Sequence, residues 1–252
     1  MNIAFSTSAL VSYLLVMTRC VAWLMVAPPF GTKLIPLSVK IGLAGALTIA
    51  TGPNISASSV TLDTLPLTLA VLTQVAAGLA LGFFALLVLT AIQAAGGLID
   101  LFAGFTMAQV YDPMSGAGAS VFGRLYQVVG TTILFTSGGH LVLVRGFVRS
   151  FDAVSVGSFS GATMKLMTAQ LGLFVLAACE IAAPVLASLF LAEVALGLLT
   201  RAAPQLNALQ LGMPLKTLMA LMLTGLAIPL LPAMLPNLVR GAVRGGLLIA
   251  GV

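Results

Sequence analysis

The sequence predicts an all-α, polytopic integral membrane protein of helical hairpins, several of them broken or kinked. Three observations predict it. Of the 252 residues, 60% are apolar and only 7% charged, and the mean hydropathy is +1.17, so the remaining polar residues are too few to build a soluble surface. Charge-free runs at 41–62, 64–99, 125–144 and 217–239 reach the roughly 20 apolar residues that a bilayer core of about 30 Å demands. Those runs are continuous and rich in Leu, Ala, Val and Met, whereas a transmembrane barrel alternates in segments of about ten residues.

Six apolar segments are predicted, near 9–31, 41–60, 65–95, 121–144, 168–200 and 214–239, and they are read as a single membrane-embedded domain over 1–252. The first opens without a basic n-region and carries Arg19 within its apolar run, so it is expected to stay rather than be cleaved as a signal peptide. Between the first and second, Pro28-Pro29 and Pro36 bracket a basic turn with Lys33 and Lys40. Before the third, Asp63-Thr64 with Pro66 gives a capped helix start, proline being tolerated in a first turn. The third run is uncharged for 36 residues, about 54 Å as a helix, and must tilt, break or leave the bilayer inside protein. Pro184 is expected to kink the fifth beside Glu180, because its ring collides with the carbonyl four residues earlier. Gly78-x-x-x-Gly82 and Gly241-x-x-x-Gly245 permit close helix approach.

The net charge of +5 comes from basic residues scattered singly, without an aromatic-interleaved patch, so nucleic acid is not an expected partner. Basic residues split five against five over the two sides of a six-span layout (Lys33, Lys40, Arg124, Arg201 and Lys216 against Arg145, Arg149, Lys165, Arg240 and Arg244), which leaves the orientation unread. Cys20 and Cys179 lie in separate apolar stretches and read as small packing residues rather than a disulfide or metal pair. No nucleophile motif accompanies His140, which reads as a helix-end residue, and the six carboxylates show no metal-ligand spacing. Neither catalysis nor a metal or cofactor is expected. Asn54-Ile-Ser56 matches a glycosylation sequon, too short a pattern to carry a claim.

Ionisable residues at membrane depth are functional or paired. Arg19, Asp100, Glu180 and Glu193 qualify. Glu180 and Glu193 could relay a coupling proton in a secondary transporter, or could form structural ion pairs with a basic residue of another helix or subunit, Arg201, two turns beyond Glu193, being a further candidate on the same helix face. The segment from Gly104 to Ser120 sets Phe105, Met107 and Tyr111 before Asp112-Pro113 and a glycine-serine run. Bulky apolar side chains on such a stretch can close a pore by excluding water, or the stretch can be a plain loop.

The run Arg201-Ala-Ala-Pro204-Gln-Leu-Asn207-Ala-Leu-Gln-Leu-Gly212-Met-Pro214-Leu-Lys216 resembles the signature of the FliR family, the flagellar branch of an export-gate subunit of type III secretion. Supporting matches are Gly97 and Ile99, Gly104 and Phe105, Asp112-Pro113, Ser115-Gly116, Gly139-His140, and Arg19 with Pro28 and Phe30. Asp100 and Met107 are less typical of the pattern. The resemblance implies a subunit that assembles with FliP-like and FliQ-like subunits, and an FlhB-like one, in the bacterial inner membrane at the flagellar basal body. It implies a pore for unfolded exported proteins, with the 104–120 segment helping to close it and no nucleotide bound. In that setting Pro204 and Pro214 break helix, Asn207 satisfies freed backbone groups, Gly212 allows close approach and Lys216 restarts a helix, so the run is a connector buried in an assembly.

Overall fold

The structure, a computed structural model, describes residues 7–32, 35–51, 64–105, 120–153, 163–203 and 208–250. Every regular element among them is helical: α1 (Thr7–Val26), α2 (Leu37–Thr51), α3 (Thr64–Ala103), α4 (Val121–Thr136), α5 (Gly139–Ala153), α6 (Thr163–Ala202), α7 (Ala208–Ala227), a 3-10 turn (Ile228–Leu230) and α8 (Leu231–Ala250). Among the described residues four stretches are long and apolar enough to cross a membrane, Ala9–Val26, Thr64–Ala103, Thr168–Ala202 and Pro214–Leu248, and α4 with α5 makes up to a fifth.

Each of the six apolar segments contains helix, though among the described residues not every one is long enough to span. The second apolar segment yields only α2, 15 residues long, about 22 Å and short of the hydrocarbon thickness. The rest of that segment, 52–60, falls outside the described residues. α3 starts at Thr64 and runs without interruption for 40 residues, past the expected end near 95. At about 60 Å it exceeds any bilayer core, so of the three options for this run a break is the one the helix does not take. Pro184 lies inside α6, which is likewise assigned as one helix over 40 residues. Lacking an N–H, Pro184 leaves the Glu180 carbonyl without its helical donor.

Breaks fall elsewhere. α4 and α5 are separated at Ser137-Gly138, where Gly138 takes φ +71°, a left-handed conformation that glycine adopts without a Cβ penalty. α7 gives way to α8 through the 3-10 turn around Pro229, which cannot donate to the carbonyl of Gly225.

The chain divides into two compact units. The first comprises Met1–Val88, Gly138–Leu171 and Val239–Val252, the second Leu89–Ser137 and Gly172–Leu238. In the first unit α2 packs against α1, and Gly78 and Gly82 of α3 face α1 closely. A Cβ on Gly78 would lie 2.5 Å from the Arg19 carbonyl oxygen, and one on Gly82 3.0 Å from the Val26 Cβ. The first glycine motif therefore has α1 as its partner. The second divides: Gly241 faces open space, while Gly245 abuts Gln170. Trp23 stacks on Phe147 at 4.5 Å in the same core. In the second unit Gly96 lets α3 approach the Phe122 backbone at the start of α4, and Gly130 packs against Ile92. Cys20 is buried as expected of a packing residue, but Cys179 is exposed, which corrects its assignment to packing within the chain.

Candidate functional site

Arg19 sits on α1 with its side chain wholly buried. Its Nε donates to Oε1 of Gln74 on α3 at 2.6 Å, and its Nη1 donates to the Ser150 carbonyl on α5 at 3.3 Å. The guanidinium also lies 4.6 Å from the centre of the Phe151 ring. Among the described residues the buried arginine is therefore answered by an amide, a carbonyl and a π face. Ser150 is itself fixed by donating its hydroxyl to the Phe147 carbonyl at 2.6 Å. Lys40, expected in the turn, instead lies within α2, where it is buried and donates to the Thr32 carbonyl at 3.2 Å.

Asp100 occupies the last turn of α3 in the second unit and is 2% exposed. Its carboxylate accepts from the Ser120 hydroxyl, from the Phe122 backbone N–H at 3.1 Å and from that of Gly123 at 3.5 Å. Ser120 is the N-cap of α4 and accepts from the Gly123 N–H at 2.8 Å. One carboxylate thus serves the N-terminus of another helix, where unpaired N–H groups and the positive end of the dipole favour an anion. On the α3 side, the Phe105 N–H donates to the Asp100 carbonyl at 3.1 Å, Gly104 takes φ +87°, and the Phe105 ring meets Phe122 edge-on at 5.6 Å. The two ends of the 106–119 stretch are therefore fastened to the same residue. Of the expected pore-closing residues, Phe105 lies in this clasp, while Met107 and Tyr111 fall outside the described residues.

Glu193 of α6 accepts from Lys216 of α7 at 2.7 Å. Three residues on, Leu196 contacts the position where a Gly212 Cβ would stand, at 3.5 Å, and Gly212 is buried. Both contacts close the α6–α7 hairpin between the C-terminal part of α6 and the second half of the signature run. Arg201 is exposed in the last turn of α6, and Pro214 is exposed inside α7. Pro204 and Asn207 fall outside the described residues. Glu180 is exposed on α6. The partner of Glu193 is Lys216 on the neighbouring helix, not the Arg201 of its own helix. No group of three or more His, Cys, Asp or Glu among the described residues could hold a metal.

Sequence reasoning missed Gln74, Ser150 and the service Asp100 gives to α4. The capping signal was present in Ser120 followed by Val-Phe-Gly. Nothing local announced that a carboxylate 20 residues earlier would share the cap.

Residues 10–242 match the family described as Bacterial export proteins, family 1. The chain is 32% identical over 212 residues to the flagellar biosynthetic protein FliR of Bacillus subtilis strain 168, covering 81% of each. It is 29% identical over 215 residues to the FliR of Escherichia coli K12, covering 84% of this chain and 82% of the relative. To the Yop proteins translocation protein T of Yersinia pestis it is 29% identical over 220 residues, 85% and 84% of the two. The chain belongs to bacterial export protein family 1, a membrane-embedded family of flagellar and type III export apparatus proteins.

Proposed function

We propose that this chain is a subunit of the flagellar type III protein-export gate, in the bacterial inner membrane, assembling with FliP-like, FliQ-like and FlhB-like subunits around a pore for unfolded proteins. The 104–120 segment helps close that pore. Family membership supports the export role, and the observation that carries the closing role is the Asp100 clasp. A stretch bearing Phe105, Met107 and Tyr111 can obstruct a channel only if its base does not drift, and Asp100 holds both flanks of it, the carboxylate taking the Ser120 hydroxyl and the Phe122 N–H and the backbone carbonyl taking the Phe105 N–H.

The apolar exterior supports the assembly. Leu191 is 67% exposed and Leu226 74% exposed on their unit, and such faces need lipid or another subunit against them. The Glu193–Lys216 pair and the Leu196–Gly212 contact stiffen the hairpin that presents the signature run, as a connector between subunits requires. The whole chain acts as one subunit domain.

The competing reading, a secondary transporter running on Glu180 and Glu193, predicts that the chain works alone. Reconstituted by itself in vesicles, the purified chain is expected to catalyse no proton-coupled solute flux, and to co-purify from native membranes in a complex several times its own mass. Flux from the isolated chain, with no larger complex, would contradict the gate.

A further inference from the structure

α5 and α8 of the first unit each carry two arginines one turn apart, Arg145 and Arg149 on the one, Arg240 and Arg244 on the other, all four exposed. Residues four apart on a helix project from the same face. The two helices approach closely because position 146 is glycine: a Cβ there would lie 2.6 Å from a Val243 methyl. Beside this crossing is a cleft of about 420 Å³ lined by Val142, Arg240, Val243, Arg244, Leu247 and Leu248. No carboxylate is among the described residues that line it. Its walls are aliphatic, and its charge is confined to the two guanidinium groups.

We propose that this cleft binds an anionic phospholipid, the headgroup phosphate held by Arg240 and Arg244 and an acyl chain lying along Val142, Val243, Leu247 and Leu248. Guanidinium groups match phosphate oxygens in fork geometry, and basic pockets between membrane helices select anionic headgroups. The aliphatic walls discriminate among anions. A soluble phosphate would gain nothing from them, and an acidic peptide would bury backbone polar groups against side chains that cannot pair with them. A lipid fits both halves of the cleft in one molecule. The site shares no residue with the Asp100 clasp and does not depend on the export reading, only on the chain being in a membrane.

The test uses the full chain, purified in detergent together with the subunits that accompany it, stripped of lipid and then offered phosphatidylglycerol or phosphatidylcholine, with bound lipid counted by native mass spectrometry. Phosphatidylglycerol is expected to bind at least about tenfold more tightly, and R240Q/R244Q to weaken it about 25-fold, at roughly fivefold per arginine. R240K/R244K should retain most of the binding, and excess glycerol 3-phosphate should not displace the lipid. Equal binding of the two lipids, or unchanged binding in R240Q/R244Q, would overturn the proposal. So would displacement by glycerol 3-phosphate, which would mark a free-phosphate site, or loss of a protein subunit from R240Q/R244Q with lipid retained, which would mark an acidic protein segment as the occupant. Should that variant fail to accumulate, raising salt from about 0.05 to about 0.5 M on the unaltered complex decides. Phosphatidylglycerol binding is expected to fall several-fold, and salt-independent binding would refute the site.

Discussion

Arg19 and Asp100 are both charges buried in an apolar chain, and among the described residues both are met by neutral groups, yet they are built to different ends. Arg19 reaches across the chain, to Gln74 at a sequence separation of 55 and to Ser150 at 131, and so ties α1, α3 and α5 into one core. Asp100 reaches only 20 to 23 residues, from the end of one helix to the start of the next. The first is a packing knot, and its loss should be felt as global stability. The second is a clasp on a loop, and its loss should be felt mainly where that loop acts. A counter-ion is unnecessary in either place because amide, carbonyl, N–H and hydroxyl dipoles are already oriented by the helices that carry them.

The largest effect should come from Gln74→Leu, which leaves the guanidinium buried with its strongest acceptor gone. A loss of about 3 kcal/mol is expected, read as a lowered melting temperature of the detergent-purified complex. Arg19→Met removes the charge along with its needs and should cost about half as much. If Arg19→Met proved the more damaging, desolvation would not be governing this core.

Asp100→Leu comes next, since it strands the Ser120 hydroxyl and the Phe122 N–H. It should lower stability by about 2 kcal/mol and raise the ion conductance of the assembled complex. Asp100→Asn keeps an acceptor but gives up the attraction of an anion to the helix terminus, about 1 kcal/mol, and should leak less than Asp100→Leu. Equal conductance in Asp100→Leu and the unaltered complex would reduce the clasp to a plain capping contact.

The smallest effect belongs to Glu193→Gln. With the Glu193 side chain 56% exposed, its pair with Lys216 is worth below about 1 kcal/mol, and export in a motility assay should persist. Loss of export with an intact complex would instead make Glu193 a carrier of coupling protons.

The sequence made the fold class legible because composition leaves no other solvent-facing solution, and the start of α3 at Thr64 follows from local capping chemistry, whereas the break at Ser137-Gly138 lay inside a segment read as continuous over 121–144. The second segment, 41–60, is described only to Thr51, where it is helical. α3 was underestimated, since Gly96, Gly97 and Asp100 look like terminators until they are seen packing α4 and capping it. The candidate site was legible residue by residue but not as contacts. Arg19, Glu193 and Lys216 stood out as charges in apolar surroundings, whereas their partners depend on pairings 23 to 131 residues apart that no periodicity encodes.

The central claim, that the segment clasped by Asp100 helps close an export pore, is tested most directly by conductance. The complex assembled from this chain and its partner subunits is placed in a planar bilayer, with Phe105, Met107 and Tyr111 replaced together by Ala. The account predicts a rise in small-ion conductance of at least about tenfold at unchanged complex yield, because dewetting fails once the bulky apolar side chains are gone. Conductance equal to that of the unaltered complex would contradict it.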